Sequence, residues 1–480
     1  EDAGGTLEVA QEAVALVPNV FDLLIRRAQG RAPAVLRRSA FWYAPKLQIE
    51  QELERHDGCV NCLAWSPDGR LLASGSDDTC VCLWSYGPRT RLAACLNTGH
   101  AANIFGVTFL EKGLVASCSL DGSVRLLDVA AERCAAVWRG HARGANKVVT
   151  TPEDLNVVTS CGADGKVRRH DRRAHRDDVL LHWDLRWDGS RLGVAGSEIN
   201  SMATSALRPE LLALGGDDPF LWLYDRRKLG STTCEPLSIF RPQSAPSTPV
   251  TGVALSPNGR RVLGSWQRDY IFEFETDGGR ARPPLVQLFG QKPSSPSQER
   301  RRHGWDDEDV EDRLGCLQQV KFSGHSNIQT IKEVAYLGTE AELVSSGSDC
   351  GHLFIWDAKT TRLVNVQRGD LYVVNAVASH PQDVCVATSG IDSSVKVWMP
   401  TRRAEDVPRT HGPEWILRRN EQQRHAAESA PFLDNLFGEL AFPNLDFEDE
   451  DAFSSPDDFD DSQLWGVDSA SSSEEDEAET

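Results

Sequence analysis

The sequence predicts an all-β fold, a seven-bladed propeller. It also predicts an N-terminal helical extension, a disordered insertion and a C-terminal acidic tail. Three observations lead there. Turn-bounded apolar runs recur with a period of about 40 residues, the spacing of blade-sized repeats. The runs are short and rich in β-branched and aromatic residues, as half-buried strands are. Several units also bring the same polar set of a His, a strand Ser or Thr, a turn Asp and a terminal Trp. The stretch Leu211–Gly230 (LLALGGDDPFLWLYDRRKLG) shows the plan plainly: an apolar run, a Gly-Gly-Asp-Asp-Pro turn, an aromatic strand and a Tyr224-Asp225-Arg226-Arg227 ending.

Residues 1–45 precede the repeats. Val14, Val17, Val20 or Phe21, Leu24 and Ile25 have helical spacing, and Arg26, Arg27, Arg31, Arg37 and Arg38 make the second half basic. Such a helix either packs on the body or docks in a partner groove. The repeats then occupy residues 46–276 as blades one to five and 316–403 as blades six and seven. His56-Asp57-Gly58 opens the first unit, Ser66-Pro67-Asp68-Gly69 turns, and the unit closes at Trp84. Gly99-His100 and Gly140-His141 open the next two, which close past Asp121 at Leu127-Asp128 and past Asp164 at His170-Asp171. The fourth runs from about Leu180 to Asp225, and the fifth from Pro249 to Phe274. The sixth opens at Gly324-His325 and closes at Ile355-Trp356-Asp357, and the seventh spans Val373 to Trp398 and includes Asp392. One such unit cannot bury both faces of its sheet, whereas seven arranged radially can. Lys46–Leu53 is the expected closing strand, pairing into the last blade.

Residues 277–315 are rich in Pro, Ser and charge and read as a disordered insertion between blades five and six. Arg300-Arg301-Arg302-His303 within it forms a weak nuclear-import-like cluster. Residues 404–480 read as a short basic helix, Pro413 to His425, followed by the acidic tail.

The formal charge of −20 is concentrated in that tail, since His425–Thr480 holds 18 Asp plus Glu and no Lys or Arg. The body is therefore nearly neutral, which argues against direct nucleic-acid binding by a broad basic face. No apolar run approaches the length of about 18 residues that a membrane helix needs. No membrane partner is therefore expected. Twelve Cys lie mostly in strand-like runs, as reduced intracellular thiols would, in nucleus or cytoplasm. Cys59-Val60-Asn61-Cys62 is a CxxC without a second pair at zinc spacing, so it reads as strand rather than as metal or redox site.

His56, Ser74, Asp78 and Trp84 invite a hydrolase reading, but a catalytic triad is a single constellation with an oxyanion hole. A set that recurs along the chain reads instead as a buried hydrogen-bond chain stapling each blade. The same structural role is expected of Asp121, Asp164, Asp218, Trp356, Asp392 and Trp398. No GxxxxGK[ST], HExxH or GxSxG motif occurs. The expectation is a non-enzymatic protein without a cofactor.

These units resemble WD40 repeats, and several segments carry a closer resemblance. They are His56–Asn61, Gly99–Phe105, Tyr224–Gly230, Ser346–Asp357 and Ala387–Asp392. Residues 15–425 resemble the DCAF family of WD40 proteins, substrate receptors of cullin-4 RING ubiquitin ligases, in the branch whose ring carries a disordered insertion. The resemblance implies docking on the ligase's adaptor protein through a WDxR motif, often present in two neighbouring blades. Asp218, Tyr224, Asp225 and Arg227 match one copy. Asp164, Asp171 and Arg173 match the other, with His170 where the family prefers Trp or Tyr. The implied adaptor-binding residues are Arg173, Arg227, Asp171, Asp225, Tyr224 and His170. The family often adds an N-terminal helix that docks on the adaptor, which implies that role for Val14–Phe41. A second, unknown protein would be the substrate.

The tail supports an alternative. Phe432, Phe437, Phe442, Phe447, Phe453, Phe459 and Trp465 are interleaved with acids, a pattern similar to transcriptional activation segments. The alternative is a transcription-linked scaffold or coactivator acting through this tail. Ser471, Ser472 and Ser473, each with an acid three places on, suit acid-directed kinases.

Overall fold

A computed structural model describes residues 43–400 and 413–429. It leaves aside 111–112, 151–152, 155, 174–175, 184, 188–191, 195–197, 231–234, 243–247 and 278–318. The expectations for the N-terminal helix, the insertion, the Arg300–Arg302 cluster and the acidic tail lie outside these residues.

The chain is a seven-bladed β-propeller: seven antiparallel four-stranded sheets form among the described residues. The first strand, β1 (Leu47–Glu54), precedes the first blade. Blade one is β2–β5 (Val60–Trp65, Leu71–Ser76, Cys80–Ser85, Arg91–Asn97). Blade two is β6–β9 (Ile104–Phe109, Leu114–Ser119, Val124–Asp128, Arg133–Trp138). Blade three is β10–β13 (Ala145–Thr150, Val157–Gly162, Lys166–Asp171, Arg176–His182). A two-stranded hairpin, β14 and β15 (Leu185–Trp187, Leu192–Val194), follows. Blade four is β16–β19 (Ile199–Thr204, Leu211–Gly216, Leu221–Asp225, Ser238–Phe240). Blade five is β20–β23 (Val250–Leu255, Arg261–Trp266, Ile271–Glu275, Gln319–Phe322). Blade six is β24–β27 (Val334–Leu337, Leu343–Ser346, His352–Asp357, Leu363–Arg368). Blade seven is β28–β30 (Val374–Ser379, Val386–Gly390, Ser394–Pro400), completed by β1.

The closing strand is where the sequence places it. β1 pairs antiparallel with β30 from Leu47↔Pro400 to Glu54↔Ser394, with a register shift between Ile49 and Gln51. Chain segments from opposite ends thus share one sheet and leave no open edge there.

Two expected boundaries are corrected. Leu180 does not begin blade four, because it lies on β13, the outer strand of blade three, and blade four starts at Ile199. Nor does the 277–315 segment separate blades five and six. It falls between the third and outer strands of blade five, since β23 pairs with β22 from Ile271↔Phe322 to Phe274↔Gln319. The physical reason is shared: an outer strand is fixed by pairing, and the connection before it can have almost any length.

Seven apolar clusters among the described residues each fill a seam between neighbouring blades. Val60, Leu63, Leu72 and Trp84 meet Leu53, Ala387, Val395, Val397 and Met399 between blades one and seven. Leu211, Leu223 and Phe240 meet Val253, Trp266 and Phe274 between blades four and five. Burial is therefore a property of pairs of blades, as the repeat argument requires. At the centre of the ring, Lys147 of blade three pairs with Glu333 just ahead of blade six, beside a cavity of about 470 Å³.

After blade seven the chain forms one helix among the described residues, α1 (Pro413–Ser429), at the expected basic segment. Ile416 and Leu417 pack into the cluster between blades five and six. Gly324 makes room for Leu417: its φ is +106°, and a Cβ there would meet the Leu417 side chain at 2.5 Å. Among the described residues, no helix is long and apolar enough to cross a membrane.

Candidate protein-docking site

The recurring His, Ser and Asp form intrablade chains. In blade one, Trp84 Nε1–H donates to Ser74 Oγ at 2.9 Å. His56 lies 2.8 Å from Ser74 Oγ through Nε2 and 2.8 Å from Asp78 through Nδ1. An indole N–H can only donate, so in the neutral ring Nδ1–H serves Asp78 and Nε2 takes the Ser74 hydroxyl proton. His100 repeats the arrangement with Ser117 at 2.9 Å and Asp121 at 3.1 Å, and His141 with Ser160 and Asp164, both at 2.8 Å. Burial pushes the Asp78, Asp121 and Asp164 carboxyls upward, but hydrogen bonds from the histidines and from backbone or Ser donors outweigh it and hold them low. Every proton in the chain is engaged inside its blade, which is the work of a staple rather than of a nucleophile.

The later blades vary the theme. In blade four, Trp183 packs 5.8 Å from Trp222, and Trp222 Nε1–H donates to Asp218 at 2.8 Å. Burial drives the Asp218 carboxyl up to about 7, against that bond and the Phe220 N–H. In blade six, His325 lies edge-on to Trp356, and Asp349 is engaged by the buried Lys332. Trp356 Nε1–H donates to the Ser323 carbonyl at 2.9 Å. In blade seven, Trp398 donates to Thr388 at 2.8 Å, and Asp392 pairs with Lys396 at 2.9 Å.

Arg173 and Arg227 occupy equivalent corners of blades three and four, just after the third strand. Each folds back on the Asp two places earlier in the same way. Arg173 donates from its backbone N (2.9 Å), Nε (3.0 Å) and Nη2 (2.8 Å) to Asp171. Arg227 donates from N (3.1 Å), Nε (3.0 Å) and Nη2 (2.9 Å) to Asp225. The carboxylate therefore caps the turn and orients the guanidinium at once. Hydrogen bonding to Arg227 lowers the Asp225 carboxyl, and bonding to Asp171 raises the Arg173 guanidinium. The side chains of Arg173 and Arg227 nevertheless remain 55% and 67% exposed.

The two corners are neighbours. In an antiparallel sheet the first and third turns lie at the same end. Arg173 Nη2 accordingly reaches Asp154 in the first turn of its own blade, at 2.8 Å. Glu153 of that turn reaches across to Arg226 of blade four at 3.5 Å. Sequence reading missed Glu153 and Asp154, because their role depends on turns brought together by the fold.

The expectation that His170 and Tyr224 touch a partner is corrected, for they are 0% and 4% exposed. His170 takes the place of Trp84: its Nε2 lies 2.7 Å from Ser160 Oγ. Burial lowers its pKa to about 4, so the ring is neutral and can donate an N–H as an indole does. Tyr224 stacks with Trp222 in the core. Both residues support the corner from beneath, and the arginines are its exposed groups.

The chain contains repeats of the family described as "WD domain, G-beta repeat", matched at residues 47–85, 93–128 and 362–399. It is 32% identical over 317 residues to "Protein ALTERED SEED GERMINATION 2" of Arabidopsis thaliana, covering 56% of this chain and 41% of that protein. It is 22% identical over 613 residues to human "WD and tetratricopeptide repeats protein 1", covering 80% of this chain and 90% of that one. It is 30% identical over 266 residues to human "DDB1- and CUL4-associated factor 6", covering 50% of this chain and 29% of that protein. The match thus spans less than half the length of the plant relative and of factor 6.

Proposed function

We propose that this chain, a WD40-repeat propeller similar to the DDB1- and CUL4-associated factors, is a substrate receptor of a cullin-4 ubiquitin ligase. The observation that carries the reading is the pair of exposed arginines at equivalent corners of adjacent blades, each pre-oriented by its own carboxylate. A planar guanidinium held in place loses little freedom on binding and can serve carbonyls or carboxylates of the adaptor. Factor 6, a relative of this chain, is by its name associated with DDB1 and CUL4. The role is non-enzymatic. A substrate held on the propeller would sit near the ligase's ubiquitin carrier at raised effective concentration.

The test is co-purification of DDB1 with the full chain and with an Arg173→Ala, Arg227→Ala variant. Arginines at interface centres are frequent hot spots, so a loss of at least about ten-fold in affinity is expected, with an unchanged melting temperature. Equal recovery by both chains would remove the docking reading.

A further inference from the structure

Blade one holds a cluster of thiols that the docking surface does not use. Cys80 and Cys82 lie on β4, and Cys95 lies on β5, the outer strand of the sheet. Cys82 and Cys95 are direct cross-strand partners. Their sulfurs are 3.0 Å apart, with Cys82 Sγ–H directed at Cys95 Sγ. Cys80 stands two residues from Cys82 on the same face of β4. All three are free thiols. Cys82 is fully buried in the seam between blades one and seven, whereas Cys95 packs against that seam half-buried.

We propose that Cys95 and Cys82 form a reversible oxidation site for peroxides, with Cys95 the sulfur attacked first and Cys82 the sulfur that resolves it. The geometry allows the bond. Directly opposed residues of antiparallel strands have Cα atoms about 4.5–5.5 Å apart, inside the range that disulfides span. The sulfurs need to close by about 1 Å to reach bonding distance. Exposure assigns the order of events. Cys95 is open to solvent in part, while Cys82 is sealed and can meet no small oxidant before its neighbour does. Burial and the neighbouring Cys95 hold the Cys82 thiol protonated, so Cys82 is not the thiolate that meets the peroxide first.

The chemistry balances with a peroxide as the named oxidant. The Cys95 thiolate attacks one peroxide oxygen, and the O–O bond breaks. Cys95 becomes a sulfenic acid, and the other oxygen leaves as water or an alcohol after taking the thiol proton. Cys82 sulfur then attacks Cys95 sulfur. The S–O bond breaks, and the departing hydroxide takes the Cys82 proton as water. Two thiols lose two electrons and two protons in all, and the peroxide gains them. A thiol reductant returns the pair to its starting state. In a reducing compartment such a disulfide is transient, as redox-sensing disulfides are.

The chain's own tryptic sites make the test direct. Leu71–Arg89 carries Cys80 and Cys82, and Leu92–Lys112 carries Cys95 alone. The full reduced chain is treated with dilute hydrogen peroxide, alkylated in denaturant and digested without reductant. The expected product is a linkage of these two peptides that dithiothreitol reverses. Cys80→Ser should retain it. Cys82→Ser and Cys95→Ser should abolish it, with Cys82→Ser leaving Cys95 as a dimedone-reactive sulfenic acid. Unlinked peptides after peroxide treatment would overturn the proposal. So would a link that persists in Cys82→Ser, which would make Cys80 the partner, or one formed only after the chain is unfolded. If Cys82→Ser fails to melt cooperatively, Cys80→Ser and the unaltered chain decide between Cys80 and Cys82.

Discussion

Asp218 and His170 show how one residue's protonation follows from what lies against it. His170 is buried and neutral, and it does the work of an indole. The sequence showed a departure from the Trp or Tyr pattern at that position. It could not show that an N–H donor was the property being kept, because Ser160 is reached only through strand pairing. Among the described residues no cation lies at hydrogen-bond distance of the buried Asp218, and burial pushes its carboxyl from the ordinary 3.8 up to about 7. Between those values the folded state holds a proton that the unfolded state has lost, so stability falls as pH rises through the window. Asp370, also raised to about 7 by burial, acts with the same sign. Asp218→Asn should therefore narrow the stability difference between pH 5 and pH 7.5 by up to a few kcal/mol. Denaturant titrations at both pH values measure it, and an unchanged difference would contradict the assignment.

At the scale of the element, α1 packs Ile416 and Leu417 into the seam between blades five and six. Its helical segment was legible from local sequence, but its docking was not. Ile416, Asn420 and Arg424 form its buried stripe. Asn420 Nδ2 donates to the Gly324 carbonyl at 2.8 Å and to Cys350 Sγ at 3.4 Å. Arg424 lies 4.2 Å from the centre of the Tyr270 ring, and Lys321 3.9 Å from the same ring. The helix thereby bridges blades five and six. At Cys350, burial raises the thiol pKa, but hydrogen bonds from His352, Ser348 and Asn420 outweigh it, and the net shift is downward. Asn420→Ala should cost about 1–3 kcal/mol, the price of leaving a buried carbonyl unpaired. It should also lower the rate of iodoacetamide labelling at Cys350, because losing that hydrogen bond lets burial raise the thiol pKa. Thermal denaturation and peptide mapping check the two effects separately.

The ring as a whole depends on its closure. β1 completes blade seven, and Asn365 and Gln367 of blade six donate to the Leu47 carbonyl at 3.0 and 2.7 Å. Leu47 and Leu53 also fill the two seams that flank that blade. Deleting residues 43–54 should open an unpaired edge along β30 and remove apolar surface from both seams. The expected result is loss of a single cooperative melting transition together with self-association in size-exclusion chromatography. A monomer with an unchanged melting temperature would show that the ring closes without this strand.

The sequence by itself determined what is local or periodic. Repeat number, the strands within most units, the closing strand, the helical segment at Pro413 and the Asp-x-Arg corners all follow from spacing, turn chemistry and side-chain type. Tertiary structure alone decided what depends on partners distant in the chain. It assigned β13 and β23 to their blades, because an outer strand is defined by pairing across a connection of any length. It sealed His170 and Tyr224 while leaving Arg173 and Arg227 exposed, because burial is set by the neighbouring blade. It also brought Glu153 beside Arg226 and Cys82 beside Cys95. Periodicity tells which face of a strand is apolar, but which atom lies 3 Å from another is fixed only when the sheets pack.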